Sequence, residues 1–354
     1  MLNASARELV MAHGWNSTAY QILNPGIDHW FSRDTPGVVG YTRRSKVMLV
    51  AGAPICASAA MPGVAAEFEG FARSQGCRVC YVCAESRLHR LFNGSRGHSI
   101  VALGAQPAWQ PENWPRLIAA RNSLRAQINR ARNRGVTIET IPAEHGRDDP
   151  GITAVLDEWL GGRALAPLHF LVEANALGGI AADRVLLAAR RAERTVAFLI
   201  ASPIAARNGY LIEQIARSAS APNGTTEMLI DAAMRRFAHE GRDFVTLGLV
   251  ALAVSARAEI RGNPLWIRLL MRFARAHANR LYNFQGLERF RTRMMPSRWE
   301  PIYAISNEPR FSIRTLCAIG EAFSHMPPWR TIGLGAIRAI RQECHRFIPA
   351  VRPI

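Results

Sequence analysis

The residues of this chain best suited to chemistry cluster in the stretch 282–303, Tyr-Asn-Phe-Gln-Gly-Leu-Glu-Arg-Phe-Arg-Thr-Arg-Met-Met-Pro-Ser-Arg-Trp-Glu-Pro-Ile-Tyr. It sets Tyr282, Asn283, Gln285 and the aromatics beside Arg289, Arg291, Arg293 and Arg298. Guanidinium forks pair with phosphate oxygens and stack on rings, so the mixture suits a phosphate-bearing ligand. If the segment is extended, the i, i+2 spacing aims Arg291 and Arg293 at one side. The competing reading is a solvated basic face. Asn223-Gly224 precedes a segment of helical periodicity, and a helix N-terminus attracts anions. A plain turn and cap needs the same two residues.

Charge widens the picture. The chain of 354 residues carries a formal net charge of +17. Residues 255–354 hold 17 basic side chains against 6 acidic ones. Such a concentration reads as a footprint for nucleic acid or an anionic membrane surface. Lys46 is the only lysine, so a coding bias towards arginine explains the residue type but not the surplus over acid. The periodicity predicts a long helix over Leu117–Arg134 that bears Arg121, Arg125, Arg130, Arg132 and Arg134. Arg121, Arg125 and Arg132 fall near one stripe, which suits contact with a nucleic-acid backbone or an ordinary exposed face. The tail alternates Ile and Leu with Arg from Leu334 to Arg346, as an amphipathic basic helix would, either docked on the protein or laid on lipid.

Cys77, Cys80 and Cys83 have a spacing seen at zinc sites, but no second Cys or His pair supplies the remaining ligand. Their Val and Tyr neighbours suit a buried strand, and no metal is expected. The N-terminus lacks the apolar core of a secretory signal. Residues 47–66 are uncharged and long enough to span a bilayer, but Gly52, Pro54, Pro62 and Gly63 divide them into a strand, a turn and a helix start. A reducing cytoplasm fits the unpaired cysteines.

The elements that must position these groups alternate between strand and helix. Strands are expected at Val38–Tyr41, Val47–Ala51, Val79–Cys83, Ser99–Gly104 and Val136–Ile141, with helices at Val64–Ser74 and Leu117–Arg134. Pro142–Gly151 reads as a linker. A second round follows: helix Ile152–Leu160, strands Arg184–Arg190, Thr195–Pro203 and Gly209–Ala216, helix Thr225–His239, and strand Phe244–Leu249. The expected class is α/β (α+β) with mostly antiparallel sheets, divided into a domain at 1–141, a linker at 142–151, a domain at 152–305 and a basic helical extension at 306–354.

Several local patterns, in order, resemble the phosphatidylglycerol lysyltransferase C-terminal family. They are Leu103-Gly-Ala-Gln-Pro-Ala-Trp109 with Trp114, the Arg-rich run Leu124–Gly135, Trp159 with Gly162-Arg163 and Phe170, Glu213-Gln-Ile-Ala-Arg217, Ala221-Pro-Asn-Gly-Thr225, Leu247-Gly-Leu249 and the 282–303 stretch. The resemblance implies tandem acyltransferase (GNAT-like) domains. It implies transfer of an amino acid, lysine, alanine or similar, from aminoacyl-tRNA to a lipid hydroxyl at the cytoplasmic face of a membrane, with no cofactor.

The resemblance also makes Glu213 and Arg217 the catalytic candidates, one to hold the donor's amino group or act as base and the other to hold a phosphate or the carbonyl oxygen. Residues four apart on a strand share a face, so both are expected in one cleft. An ion pair flanking a strand end is the plainer reading. By the same resemblance Asn223, Gly224, Tyr282, Asn283, Gln285, Arg291 and Arg293 bind substrate, and Arg121, Arg125, Arg130 and Arg132 bind tRNA. The chain departs from the family in having Val250-Ala251 after Leu-Gly-Leu, and no multi-helix membrane domain is expected in it. No Gln/Arg-x-x-Gly-x-Gly/Ala loop for coenzyme A is present. A GNAT-fold enzyme with another donor or a non-lipid acceptor, or a non-catalytic tRNA- or membrane-binding protein, remains an alternative.

Overall fold

The computed structural model describes residues 5–162, 170–171, 177, 183–277 and 284–324. Its strands are β1 (Asp28–Phe31), β2 (Gly37–Arg44), β3 (Val47–Ala51), β4 (Ile55–Cys56), β5 (Arg78–Ala84), β6 (Ser99–Trp109), β7 (Val136–Ile141), β8 (Val185–Arg191), β9 (Arg194–Ile204), β10 (Gly209–Arg217), β11 (Phe244–Thr246), β12 (Val250–Ala251) and β13 (Arg298–Ser306). Its α-helices are α1 (Ala6–His13), α2 (Met61–Ser74), α3 (Ser86–Phe92), α4 (Trp114–Ala120), α5 (Asn122–Asn133), α6 (Pro150–Gly161), α7 (Thr225–His239), α8 (Arg257–Arg261), α9 (Leu265–His277), α10 (Phe284–Arg293) and α11 (Ile313–Ser324).

One mixed sheet runs through the molecule in the order β1-β2-β3-β5-β13-β6-β11-β10-β9-β8-β7, with β4 on β2 and β12 on β6. Two runs repeat one design. β1, β2 and β3 pair antiparallel, then α2 carries the chain back so that β5 lies parallel to β3. β8, β9 and β10 pair antiparallel, then α7 carries the chain back so that β11 lies parallel to β10. This is a GNAT-like arrangement used twice on a mostly antiparallel sheet, the class expected from sequence.

The strand pairing does not follow the division expected at 142–151. β7, at the end of the first expected domain, pairs along its length with β8. The helix before it, α5, packs on α7, and Leu124, Ile128 and Ala131 share a core with Leu229, Ala233 and Phe237. In the other direction, β13 lies between β5 and β6. Each run therefore completes its sheet with a strand from the other side of the linker. The apolar faces decide the partner, because β7 and α5 bury theirs in the core built around α7.

The long helix expected over Leu117–Arg134 is broken at Arg121, whose φ of −114° and ψ of 86° are not helical. Two indoles hold the neighbourhood: Trp114 donates to Asp231 and Trp109 to the Met294 carbonyl. Residues 47–66 form β3, β4 and the start of α2, and no described helix is long and apolar enough to cross a membrane. Cys77, Cys80 and Cys83 are buried at β5, where burial pushes the Cys80 and Cys83 thiols up. Among the described residues no group of three or more His, Cys, Asp or Glu is placed to hold a metal. Of the expected 306–354 extension, α11 is described, and the tail from Leu334 to Arg346 lies outside the described residues.

Candidate functional site

The two runs differ where their parallel strands end. β3 and β5 pair from Val47↔Arg78 to Ala51↔Val82. Beyond them sits the segment after α1: Asn16 donates to the Cys83 carbonyl and the Ser17 N–H donates to Glu85. β10 and β11 pair only from Gly209↔Phe244 to Leu211↔Thr246. There the chain turns at Gly248, whose φ is +71°, and passes through β12 to β6. β10 meanwhile continues along β9. The strands thus part beside Ile212–Arg217, as a sheet must where two parallel strands follow different neighbours.

β10 carries a bulge at that point. Ile212 pairs with Ala201 and Gln214 with Ile200, which leaves Glu213 as the extra residue. The Glu213 carboxylate accepts from Gln21 Nε2 at 2.7 Å and from Ser202 Oγ at 3.4 Å. Its other oxygen lies 2.7 Å from Arg184 Nε, an ion pair whose N–H direction departs from a straight hydrogen bond. Arg184 donates from Nη2 to Asn24 Oδ1 at 3.0 Å and lies over the Tyr20 ring at 5.1 Å. The side chains of Arg184 and Glu213 are only 2% and 10% exposed. Burial pushes the Glu213 carboxyl above the ordinary carboxylate value, and the nearby Arg184 charge opposes the shift.

Neighbouring groups fix this cluster. Tyr20 donates to Asp183, which Arg7 clamps through two hydrogen bonds, and Arg7 holds the Asp183 carboxyl below its usual range. Two amide atoms of the cluster, Gln21 Oε1 and Asn24 Nδ2, are buried without a hydrogen-bond partner among the described residues. Buried polar atoms are nearly always bonded, so these mark where a polar ligand would be received. The sequence reading missed Gln21, Asn24, Arg184 and Ser202. The signal for Arg184 was the charged pair Asp183-Arg184 directly before the apolar run Val185–Ala189.

Glu213 and Arg217 are not brought together. The extra residue shifts the alternation of β10, so the same-face expectation fails. Arg217 is exposed and pairs with Ala197, a residue of the core on the α7 side. Glu213 instead turns towards Ser202 and Gln21.

Gly224 (φ +95°) precedes α7, and a Cβ there would stand 2.0 Å from the Gln127 carbonyl oxygen of α5. Asn223 is exposed, and no side chain caps α7. The pair is therefore a turn that seats α7 against α5.

From Phe284 onward this stretch is helix α10 followed by β13, so the i, i+2 argument for Arg291 and Arg293 does not apply, because a helix turns successive residues by about 100°. Arg291 donates to the Gly248 carbonyl at 2.7 Å, at the turn where the strands part. Arg293 is exposed. Tyr282 and Asn283 lie outside the described residues, as does the side chain of Gln285. Arg298 donates to Glu300 at 2.9 Å. Arg125, Arg130 and Arg132 are exposed on α5, and Arg121 is exposed at the break before it.

A second buried network ties the runs together. Arg207, 7% exposed, bonds Glu85 at 3.1 Å and Glu300 at 2.8 and 2.7 Å. Its guanidinium lies 3.4 Å from the Phe244 ring centre. Burial pushes Glu85 up against the pull of Arg207, whereas at Glu300 the Arg207 bonds and charge outweigh burial and hold the carboxyl low.

The model of the family described as phosphatidylglycerol lysyltransferase, C-terminal, matches residues 7–306. The chain belongs to this family. A curated phosphatidylglycerol lysyltransferase of Staphylococcus epidermidis is 20% identical over 298 residues, which cover 84% of this chain and 35% of that protein. The chain thus spans about a third of the length of the curated relatives it matches. The structure of L-PGS from Bacillus licheniformis superposes with a TM-score of 0.73 at 19% identity, covering 90% of this chain and 96% of that one. A crystal structure of a C-terminal domain ascribed to a lysylphosphatidylglycerol synthetase from Agrobacterium fabrum gives 0.73 at 18% identity, with the same coverages. At these identities the superpositions show the shared fold.

Proposed function

We propose that this chain moves an aminoacyl group from aminoacyl-tRNA to a hydroxyl of phosphatidylglycerol, working at a membrane surface. The amino acid is lysine, alanine or a similar residue. The reaction is a transesterification. The lipid hydroxyl oxygen attacks the aminoacyl carbonyl, the bond to the tRNA ribose breaks, and the acceptor's proton ends on the ribose oxygen. The donor ester is already activated, so the protein must mainly position the two partners and stabilise the oxyanion.

The observation that carries the reading is the polar cluster of Gln21, Asn24, Arg184, Ser202 and Glu213 beside the parting of β10 and β11, in a chain of this family. The Glu213 carboxylate is engaged by Gln21, Ser202 and Arg184, so we assign it to positioning and not to taking the proton. It orients Gln21, whose Oε1 is then available to an ammonium group, while Asn24 Nδ2 is available to a carbonyl oxygen. Arg291, at the Gly248 turn, stands on the other side of the parting strands, where a lipid or tRNA phosphate is the natural partner. The exposed arginines of α5 and Arg121 supply a contact for the tRNA backbone.

The test combines purified protein, tRNA charged with radiolabelled lysine or alanine, and phosphatidylglycerol. A labelled, ninhydrin-positive lipid that disappears after ribonuclease treatment is expected. Product that survives ribonuclease, or forms from an acyl-coenzyme A, would overturn the tRNA donor.

A further inference from the structure

Helix α9 is apolar on more faces than one core contact requires. Its sequence from 265 to 277 is Leu-Trp-Ile-Arg-Leu-Leu-Met-Arg-Phe-Ala-Arg-Ala-His. Helical spacing sorts it into rows. Leu265, Leu269 and Phe273 form one row, and Trp266 and Leu270 the row beside it. Ile267, Met271 and Ala274 form the next, and this row faces the protein: Ile267 is 2% exposed and packs, with Met271, into the core beneath β2 and β3. Arg268, Arg272 and Arg275 complete the circle.

The first two rows are not in that core. Leu265 is 62% exposed, Leu269 55%, Phe273 63%, Leu270 44% and Trp266 37%. A soluble helix has its polar face there. Here the outward face is the apolar one, and arginines border it. Over residues 257–277 five arginines accompany one acid, Glu259, and Arg257, Arg261 and Arg272 are exposed.

We propose that α9 is a bilayer-docking helix: it lies in the plane of an anionic membrane with Leu265, Trp266, Leu269 and Leu270 among the acyl chains and the exposed arginines of α8 and α9, Arg257, Arg261 and Arg272, among the headgroup phosphates. Charge complementarity selects this occupant. An apolar protein partner would satisfy the leucines but leave the exposed guanidinium groups of Arg257, Arg261 and Arg272 without anions, whereas an anionic bilayer supplies an apolar layer and a phosphate layer at the depths these side chains reach.

Position adds a second reason. Arg275 donates to the Leu252 carbonyl at 2.7 Å and pairs with Glu288 of α10, and Arg291 of α10 bonds Gly248. Docking α9 on lipid therefore brings the bilayer beside the 248–252 segment, next to the parting of β10 and β11. The inference deepens the lipid-acceptor reading by naming the face that meets the lipid, and the experiment below separates the two.

The full chain is floated with vesicles of phosphatidylcholine alone and with vesicles containing phosphatidylglycerol, at low and high salt. The double variant Leu265→Glu/Leu269→Glu is floated alongside and checked for an unchanged melting temperature, since both positions are exposed. We expect binding to the anionic vesicles only, a loss of about tenfold or more in the variant, and weakening at salt near 1 M, where screening shortens to about 3 Å. Transfer to phosphatidylglycerol dispersed in detergent micelles is expected to be the same in both proteins. If no aminoacylated lipid forms at all but flotation still depends on α9, docking stands and the transfer reading fails. A variant that floats like the parent overturns the docking. So does a parent chain that stays in the aqueous fraction, whether a second copy covers the stripe (a sedimentation shift that the variant abolishes) or its own residues beyond 324 do.

Discussion

Replacing Arg184 by methionine removes the charge that faces Glu213 while keeping a side chain of similar length against Tyr20. The pair lies 2.7 Å apart with side chains 2% and 10% exposed, so water screens it little. Two unit charges whose centres lie about 4 Å apart attract by about 4 kcal/mol at an effective dielectric near 20. The lost bond to Asn24 adds about 1 kcal/mol. Breaking one member of a buried pair costs roughly 3–5 kcal/mol in practice, so about 3 kcal/mol of stability should be lost at pH 8.

The pH dependence follows from the raised Glu213 carboxyl. Between the ordinary carboxylate value of about 4.3 and the raised folded value, the folded state binds more protons than the unfolded chain. The contribution of this group therefore falls as pH rises through that window. Without Arg184 the folded value rises further and the window widens, so the variant's deficit should be smaller at pH 5 than at pH 8. Urea denaturation of both proteins at the two pH values measures this. A deficit below about 1 kcal/mol at pH 8 would refute the buried-pair argument, as would a deficit that grows on acidification. Adding Glu213→Leu to the variant should recover most of the loss, because two neutral side chains need no counterion.

Gly224→Ala should cost about 2–4 kcal/mol, because φ is +95° and the new Cβ meets a backbone oxygen of α5 that cannot swing aside. An unfolding free energy from urea denaturation within about 0.5 kcal/mol of the parent's would mean that α5 and α7 are not in that contact. Arg291→Ala leaves the Gly248 carbonyl without its donor and should lower stability by only about 1 kcal/mol while reducing kcat/KM about tenfold or more. An unchanged kcat/KM in lipid transfer removes Arg291 from the site. The triple change Arg125→Ala/Arg130→Ala/Arg132→Ala should weaken tRNA binding and flatten its salt dependence by about two units of logarithmic slope. Filter binding at several salt concentrations reads this, and a parallel, unshifted salt line excludes α5 from the tRNA contact.

How far the sequence could be read depended on whether a feature was local. Helix α7 and strand β7 were legible to the residue, because their periodicity and their Gly and Pro boundaries are local properties. The cluster around Glu213 was only half legible. The motif pointed at Glu213, but a bulge is decided by register against β9, which a strand's own alternation does not contain. Gln21 and Asn24 reach the cluster from a one-turn 3₁₀ segment almost 200 residues earlier in the chain, a juxtaposition that only tertiary packing creates. The arginines of α10 show the opposite failure. Their composition suggests phosphate chemistry, but a shared aim was expected only of an extended segment, and the helix begins inside the Asn-Phe-Gln-Gly motif that reads as a turn.

The duplication raises the question of why the parallel strands part in the second run and not in the first. In the first run, Gly52 (φ +76°) follows β3 and its N–H donates to the Val82 carbonyl, extending the pairing with β5. A Cβ on Gly52 would stand 2.6 Å from Asn16 Nδ2 and 2.7 Å from Thr18 Oγ1, so the Asn16–Thr18 segment occupies the place where the second run parts. Asn16 is itself tied to the Cys83 carbonyl and cannot retreat without losing that bond. One copy is thus plugged by its own chain. Gly52→Ala should strain the left-handed backbone and push on the plug, costing about 2–3 kcal/mol. Because the plug is structural, kcat/KM per folded molecule should not change. If Gly52→Ala left stability intact but abolished transfer, the first run would hold a working site, and the assignment of the reaction to the parting of β10 and β11 would fall.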